Sequence, residues 1–465
     1  MPRKKTEVKA EELTFEYKNA ASLKDADKTK KKADAFCEGY KKFLDLSKTE
    51  REAVNTAELM LVSAGYERFD VNKEYQPGDK VYEINRGKAI LATTWGKRDL
   101  SEGVRINGAH IDSPRLDLKP NPMYENGELA YFKTHYYGGI KKYQWAVIPL
   151  AMHGTVIRAD GTKANICIGE DDGDPVFYIS DLLPHLGQEQ AKRTLNEGIK
   201  AEELNIIIGS TPVLDDDVKE PYKLMALKAL NEKYGITEKD FARAEIEFVP
   251  AQKAKDIGLD RALIGAYGHD DRSSAYAALM AEIETKSPEY TTVTVLTDKE
   301  EIGSLGNTGL DSNYLGDYIH FLARNKGVDE KEVCAASCCL SADVNAAFDP
   351  TFPDVYEARN ASWLGHGCVI TKYTGTRGKS DSSDASAEYM AKVIDIMDRA
   401  GVTWQIGELG RVDLGGGGTV AMYVAGLNID VVDVGVAVLS MHAPFEVISK
   451  LDEYNIYRAF KAFYE

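Results

Sequence analysis

Val104-Arg-Ile-Asn-Gly-Ala-His-Ile-Asp112 reads as a buried β-strand that ends in polar residues, and its place in the chain decides the fold. Far downstream, from Leu263 onward, strand and helix signals alternate. An Ala-rich helix is expected over Ser273–Glu284 and a β-branched strand over Thr291–Leu296. A helix over Gly309–Arg324, a buried run at Ala336–Leu340 and an amphipathic helix over Ala385–Arg399 follow. A strand over Asp430–Leu439 and a closing helix over Pro444–Tyr464 end the series. This alternation predicts an α/β fold: a mostly parallel sheet with helices on both faces.

The 104–112 strand belongs to that same sheet, so the residues between, 120–250, form an insert. Their character differs. Short apolar runs (Ala146–Met152, Asn165–Ile168, Leu204–Gly209) are separated by Gly, Asp and Pro, which marks a smaller β-rich domain. Helical stretches are expected near Gln188–Glu197 and Tyr222–Lys233 within it. Residues 1–119 and 251–465 then make one discontinuous domain, opened by two helices before Gly65.

At 465 residues the chain is long enough for two or three domains. With 43% hydrophobic and 28% charged residues it is no disordered polymer. Acidic residues outnumber basic ones 74 to 57, a formal charge of −17 that repels phosphate backbones and anionic lipid. Neither a nucleic acid nor a membrane is therefore an expected partner. No apolar run reaches the roughly 20 residues that cross a bilayer. Met1–Lys9 lacks the apolar core of a signal peptide, and six cysteines over this length form no disulfide framework. A cytoplasmic location is expected.

Ligands of parallel α/β sheets gather beyond the carboxyl ends of the strands. Here those ends carry His110 and Asp112, then His269, Asp270 and Asp271, then Asp298, Glu300 and Glu301, then Asp343, and last His442. Each taken alone has an ordinary structural reading, such as an N-cap for Asp270 and Asp271 or a solvated surface for the glutamates. Five such segments ending at one sheet edge supply the imidazole and carboxylate mixture that suits zinc, cobalt or manganese. Two divalent ions about 3.5–4 Å apart use the inventory better than one. Asp270 or Asp271 would bridge, and His110, Asp343, Glu301 and His442 would be terminal ligands. Glu300 is then a spare carboxylate, able to take a proton from a water that the metals acidify. Hydrolysis of an amide or related acyl bond is the reaction class that follows.

The motifs Asn107-Gly-Ala-His-Ile-Asp-Ser-Pro114, Asp298-Lys-Glu-Glu-Ile-Gly-Ser304, Leu340-Ser-Ala-Asp343 and Ser440-Met-His-Ala443 resemble the M18 family of metalloaminopeptidases. The resemblance extends from about residue 85 to the end and includes Tyr137-Gly-Gly-Ile140 in the insert. It implies an aminopeptidase that removes N-terminal residues from peptides with two metal ions, most often zinc. It further implies that the insert is a dimerisation domain and that dimers assemble to a dodecamer. The family pattern assigns the bridge to Asp270, gives one metal to His110 and Asp343 and the other to Glu301 and His442, and makes Glu300 the base. Asp112 would orient the His110 ring, and the Asp270–Asp271 peptide would be cis. Acidic N-terminal residues are an admitted substrate class, for which His185, in Pro184-His-Leu186, and Lys372 are the candidate contacts. The further histidine that many aspartyl members carry one helical turn later is here Glu189.

Three features are read as structural. Gly415–Gly418 lacks the Lys-Ser or Lys-Thr of a phosphate loop and is expected to be a mobile loop by the active site. Cys334, Cys338 and Cys339 lack paired Cys-x-x-Cys spacing, and His153 and His320 lie outside every motif. His269, beside the bridging Asp, is left open between a structural part and a contact to ligands or substrate.

Overall fold

The computed structural model describes residues 13–215 and 217–465; the leader reading at Met1–Lys9 lies outside them. A nine-stranded sheet is the frame. Its spatial order is Glu67–Arg68, Lys80–Asn85, Ala89–Thr94, Thr291–Thr297, Val104–His110, Cys338–Ser341, Asp430–Gly435, Cys368–Thr371 and Trp404–Ile406. The four central strands, Thr291–Thr297, Val104–His110, Cys338–Ser341 and Asp430–Gly435, are mutually parallel. Strands joined from such distant parts of the chain need helical crossovers, which cover the sheet on both sides.

The two-residue period of the central strands sorts their apolar side chains into two cores. On one face Ala109, Leu296, Leu340 and Val432 pack with the helices Ala26–Leu46, Glu50–Ser63, His269–Glu284, Ala387–Ala400 and Lys450–Tyr464. On the other, Ile106, Val293, Val295, Cys339 and Val431 pack with Tyr314–Lys326, Glu330–Ala336 and Ala421–Gly426. A strand buried on both faces has no polar side to spare, which is why these runs look continuously apolar.

Residues Arg115–Pro250 build a separate six-stranded antiparallel sheet around its own apolar cluster, including Leu116, Phe132, Trp145 and Phe248. A third, five-stranded sheet joins Lys255–Ile257, Leu263–Ala266, Glu446–Ser449, Ala437–Leu439 and Asn345–Ala346.

Several expected elements are corrected. The strand expected over Asp430–Leu439 divides after Gly435, its first part in the large sheet and Ala437–Leu439 in the small one. A Cβ at Gly435 would run into the carbonyl of Asp343, so the chain passes another backbone there at a distance only glycine permits. The closing helix begins at Lys450, because Glu446–Ser449 is first used as a strand. Gln188–Glu197 is no helix but two short 3-10 turns with no buried residue, since the stretch has no apolar stripe to pack. The helix expected from Gly309 starts at Tyr314.

Candidate metal centre

The sheet delivers its polar residues to one edge. His110 is the last residue of its strand, and Asp343 lies two residues past Cys338–Ser341. Glu300 and Glu301 begin a 3-10 turn after Thr291–Thr297, entered through Lys299 in the left-handed region. Asp270 and Asp271 open the helix His269–Glu284 with non-helical backbone angles and a cis peptide between them. His442 sits in the turn between Ala437–Leu439 and Glu446–Ser449.

Two groups form around one carboxylate. Asp270 Oδ1 lies 3.1 Å from His110 Nε2, and Asp270 Oδ2 lies 3.2 Å from His442 Nε2. Asp343 Oδ1 is 3.9 Å from His110 Nε2, and Glu301 Oε2 is 3.5 Å from His442 Nε2. The donor atoms of His110, Asp270 and Asp343 all lie within 4.8 Å of one another, as do those of Asp270, Glu301 and His442. Donors held about 2.0–2.2 Å from a tetrahedral zinc stand about 3.4 Å apart, and the four separations above, from 3.1 to 3.9 Å, bracket that distance. Asp271 belongs to neither group, so the geometry brings Asp270 to the shared position.

Both imidazoles are set by carbonyls, which can only accept. His110 Nδ1 donates to the Asp112 carbonyl at 3.0 Å, and His442 Nδ1 donates to the Gly139 carbonyl at 2.8 Å. Each Nε2 is left facing the carboxylates, the orientation that metal-binding histidines require. The Gly139 contact comes from the Tyr137-Gly-Gly turn of the second sheet. A Cβ on Gly138 would stand 3.1 Å from Glu301 Oε2, so the turn presses bare backbone against the site.

Asp112 is fully buried and holds the neighbouring turn. Its Oδ1 accepts the Glu300 N–H at 3.1 Å, and its Oδ2 accepts the Glu301 N–H at 3.2 Å and the Tyr137 hydroxyl at 2.8 Å. Burial would raise its pKa, but the hydrogen bond and charge of His110 keep it below the usual carboxylate value. Glu300 Oε2 lies 3.9 Å from His110 Nε2, outside both three-residue groups. Burial, reinforced by Asp112 and Asp270 and opposed by the two histidines, pushes Glu300 up to about 7.

The electrostatics call for a cation. Burial and then the Glu300 and Asp270 charges push Asp343 well above its ordinary value, and burial with the Asp270 charge does the same to Glu301. Burial alone would lower His442, yet Asp270 and Glu301 push it up to about 10. Carboxylates this crowded can all ionise only when positive charge lies among them. Glu301 Oε1, moreover, is buried with no hydrogen-bond donor. The donor set therefore fits divalent metal ions.

Sequence reasoning missed Glu446. Its carboxylate is buried and accepts the His442 N–H at 2.7 Å and the Asp270 N–H at 3.1 Å, tying together two residues that face each other across the centre. An acid placed in an expected helix looks like a surface charge, and no local signal marks it otherwise. His269 is resolved as structural: its Nε2 donates to the Ile264 carbonyl and its Nδ1 accepts from Tyr40 at 2.7 Å, while burial pushes its pKa down to about 3. His153 lies between Glu52 and Glu170, and His320 pairs with Glu330.

The two candidate substrate contacts are not brought to the centre. A cavity of about 460 Å³ opens over it, walled by Asp270, Glu300, Glu301, Asp343 and His442 and by the Gly416–Gly418 loop, but by neither His185 nor Lys372. His185 is exposed in a turn of the connection between Lys163–Ile168 and Asn205–Gly209, and the Lys372 ammonium is paired with Asp384.

Comparison with known proteins bears on this centre. A family model described as aminopeptidase I zinc metalloprotease (M18) matches residues 43–464. A probable M18 family aminopeptidase 1 of Clostridium acetobutylicum is 47% identical over 460 residues, spanning 97% of this chain and 99% of that protein. The crystal structure of an M18-family aminopeptidase from Thermotoga maritima superposes with a TM-score of 0.92 at 43% identity, over 97% of this chain and all of that one. A structure described as the S. cerevisiae mApe1 dodecamer shares the fold at 22% identity, with a TM-score of 0.75 over 93% of this chain and 97% of that one.

Proposed function

Given that the chain belongs to the M18 family of zinc metalloproteases and is an aminopeptidase, we propose that it works with two divalent cations, most readily zinc, with cobalt or manganese as substitutes. His110 and Asp343 hold one ion, Glu301 and His442 the other, and Asp270 lies between them. The observation that carries this reading is the Asp270 carboxylate, whose two oxygens face His110 and His442 at 3.1 and 3.2 Å. Bound there, such ions polarise a peptide carbonyl and acidify a water.

Glu300 supplies the proton chemistry. Its carboxylate, poised near neutrality by burial, takes a proton from the attacking water and returns it to the nitrogen of the departing peptide. Asp112 keeps Glu300 in place through its backbone N–H, and Asp270 lines the cavity with the buried His110 against it. Glu301 and Asp270 carboxylates also offer the negative environment that a free α-ammonium needs.

The 120–250 segment acts as a dimerisation domain, and dimers assemble into a larger homo-oligomer, a dodecamer being the form described for S. cerevisiae mApe1. Val176, Leu182, Leu183, Leu186 and Leu195 all expose large apolar side chains on this segment, which favours burial against another copy. Six cysteines without a disulfide suit a cytoplasmic site of action. Among the described residues no helix is long and apolar enough to cross a membrane.

The test is removal of metal with a chelator, followed by re-addition of zinc, cobalt or manganese, with free and N-acetylated peptides as substrates. Free N-termini should be cleaved only after metal returns, at two ions per chain, and acetylated peptides should survive. Full activity at one ion per chain would refute the paired centre.

A further inference from the structure

We propose that Glu52, His153 and Cys167 form a further metal site, apart from the paired centre, that takes a zinc-like divalent ion and clamps the two layers of the chain together. Their donor atoms all lie within 4.8 Å of one another. Glu52 comes from the helix Glu50–Ser63 that covers the large sheet, whereas His153 and Cys167 stand on adjacent strands of the antiparallel sheet. An ion held here bridges the layers. The two groups of the paired centre share none of these residues.

The strand Lys163–Ile168 explains why a thiol is available. Ala164, Ile166 and Ile168 enter the apolar cluster of the second sheet, and the alternate positions Lys163, Asn165 and Cys167 are exposed. A cysteine serving only as a small apolar side chain belongs on the inner face. Cys167 is instead the one exposed cysteine among the described residues, directly across the ladder from the buried His153. Cross-strand partners carry their Cβ atoms about 4.5–5.5 Å apart, close enough to share an ion.

The other two donors are already aimed. Glu52 is the third residue of its helix, and its Oε2 accepts the Thr49 N–H at 3.1 Å, which turns Oε1 onto His153 Nδ1 at 2.7 Å. His153 Nε2 faces Glu170 Oε1 at 3.1 Å, and the Lys48 ammonium holds that oxygen at 3.4 Å. Nδ1 is thus the nitrogen for the ion, while Nε2–H donates to Glu170, the carboxylate that orients a metal-binding ring. Binding replaces the proton between Nδ1 and Oε1 and displaces that of the thiol. The thiolate and the Glu52 carboxylate then cancel the charge of a divalent ion. The sulfur selects zinc, or cobalt in its place, over magnesium or calcium. Because Cys167 is exposed, water can fill the fourth position.

Cobalt(II) is the probe, since cobalt bound by sulfur gives an intense near-ultraviolet charge-transfer band and the paired centre contains no cysteine. The metal-free full chain, in its native assembly, is titrated with cobalt while bound ion and absorbance are followed together. One ion per chain beyond those of the paired centre should bind, and the band should grow with it. Cys167→Ser should abolish both the band and that ion and leave peptidase activity unchanged. Glu52→Gln should weaken cobalt at this site at least about tenfold. Cobalt uptake without the band overturns the proposal, as does a band that persists in Cys167→Ser. Zinc-loaded parent should also melt above zinc-loaded Cys167→Ser, whereas the metal-free chains melt alike. Equal Tm values in the zinc-loaded pair would overturn the clamp.

Discussion

Glu446 accepts the backbone N–H of Asp270 at 3.1 Å through one carboxylate oxygen and that of His442 at 2.7 Å through the other. Two candidate ligands carried by elements 172 positions apart in the chain, 442 less 270, are thereby held in one register by a third side chain. Glu446→Ala removes both acceptors and leaves two buried N–H groups unpaired. Metal affinity should fall about 10–100-fold, as measured by competition with a chromophoric chelator. Unaltered affinity would show that the helix start and the turn position Asp270 and His442 without help.

Glu300→Gln separates binding from proton transfer. The amide keeps the size of the side chain, and Glu300 lies outside both three-residue metal groups. Metal content per chain should be unchanged while kcat falls by about two to four powers of ten. A near-normal kcat would take the base role away from Glu300.

Asp112 accepts three donors, the Glu300 and Glu301 N–H groups and the Tyr137 hydroxyl. Asp112→Ala should therefore harm both the metals and turnover, whereas Tyr137→Phe removes a single hydrogen bond and should cost no more than about 1.5 kcal/mol in stability. Thermal melting of metal-loaded samples and kcat, read together, distinguish the two. Equal losses in both variants would argue that Asp112 acts only through Tyr137.

Acid sensitivity should arise in part far from the metals. Asp256 lies between Lys41 at 3.0 Å, Lys450 at 3.1 Å and Arg261 at 2.7 Å. Burial would raise its pKa, but these three hydrogen-bonded cations hold it well below the usual carboxylate value. A carboxyl whose pKa is depressed by folding stabilises the native state above its unfolded pKa of about 4, and that contribution is lost as pH falls from there through the folded value. Asp256→Asn should lower stability at pH 7 by about 1–3 kcal/mol. It should also flatten the fall in Tm below about pH 4. An Asp256→Asn melting curve that tracks the parent at every pH would exclude this contribution.

That His110, Glu301 and Asp343 meet at one edge is legible because parallel strands must end on one side, and these residues stand at or just past such ends in the chain. The apolar runs of Val104–His110 and Thr291–Thr297 are unambiguous for the same physical reason, since both of their faces are buried. Glu446 was not legible, because its meaning depends on two backbone N–H groups brought to it by folding. The break after Gly435 was hidden too. A glycine there shows that something comes close, but only the fold reveals that it is the Asp343 carbonyl. The missing helix at Gln188–Glu197 has a plainer cause: a polar stretch with helix-forming residues stays in short turns when it has nothing to bury.

The hydrogen bond from His442 to the carbonyl of Gly139 crosses from one sheet to another. Residue 139 belongs to the antiparallel layer, yet it fixes which imidazole nitrogen looks inward. Pruning the chain to its larger layer, as one would to engineer a minimal peptidase, would strip away the Gly139 carbonyl that braces the ring and leave Nδ1 free to swing toward solvent. The smaller layer thus also walls the cavity over the candidate centre, through Gly139, and a shortened chain would need a new acceptor built at that spot.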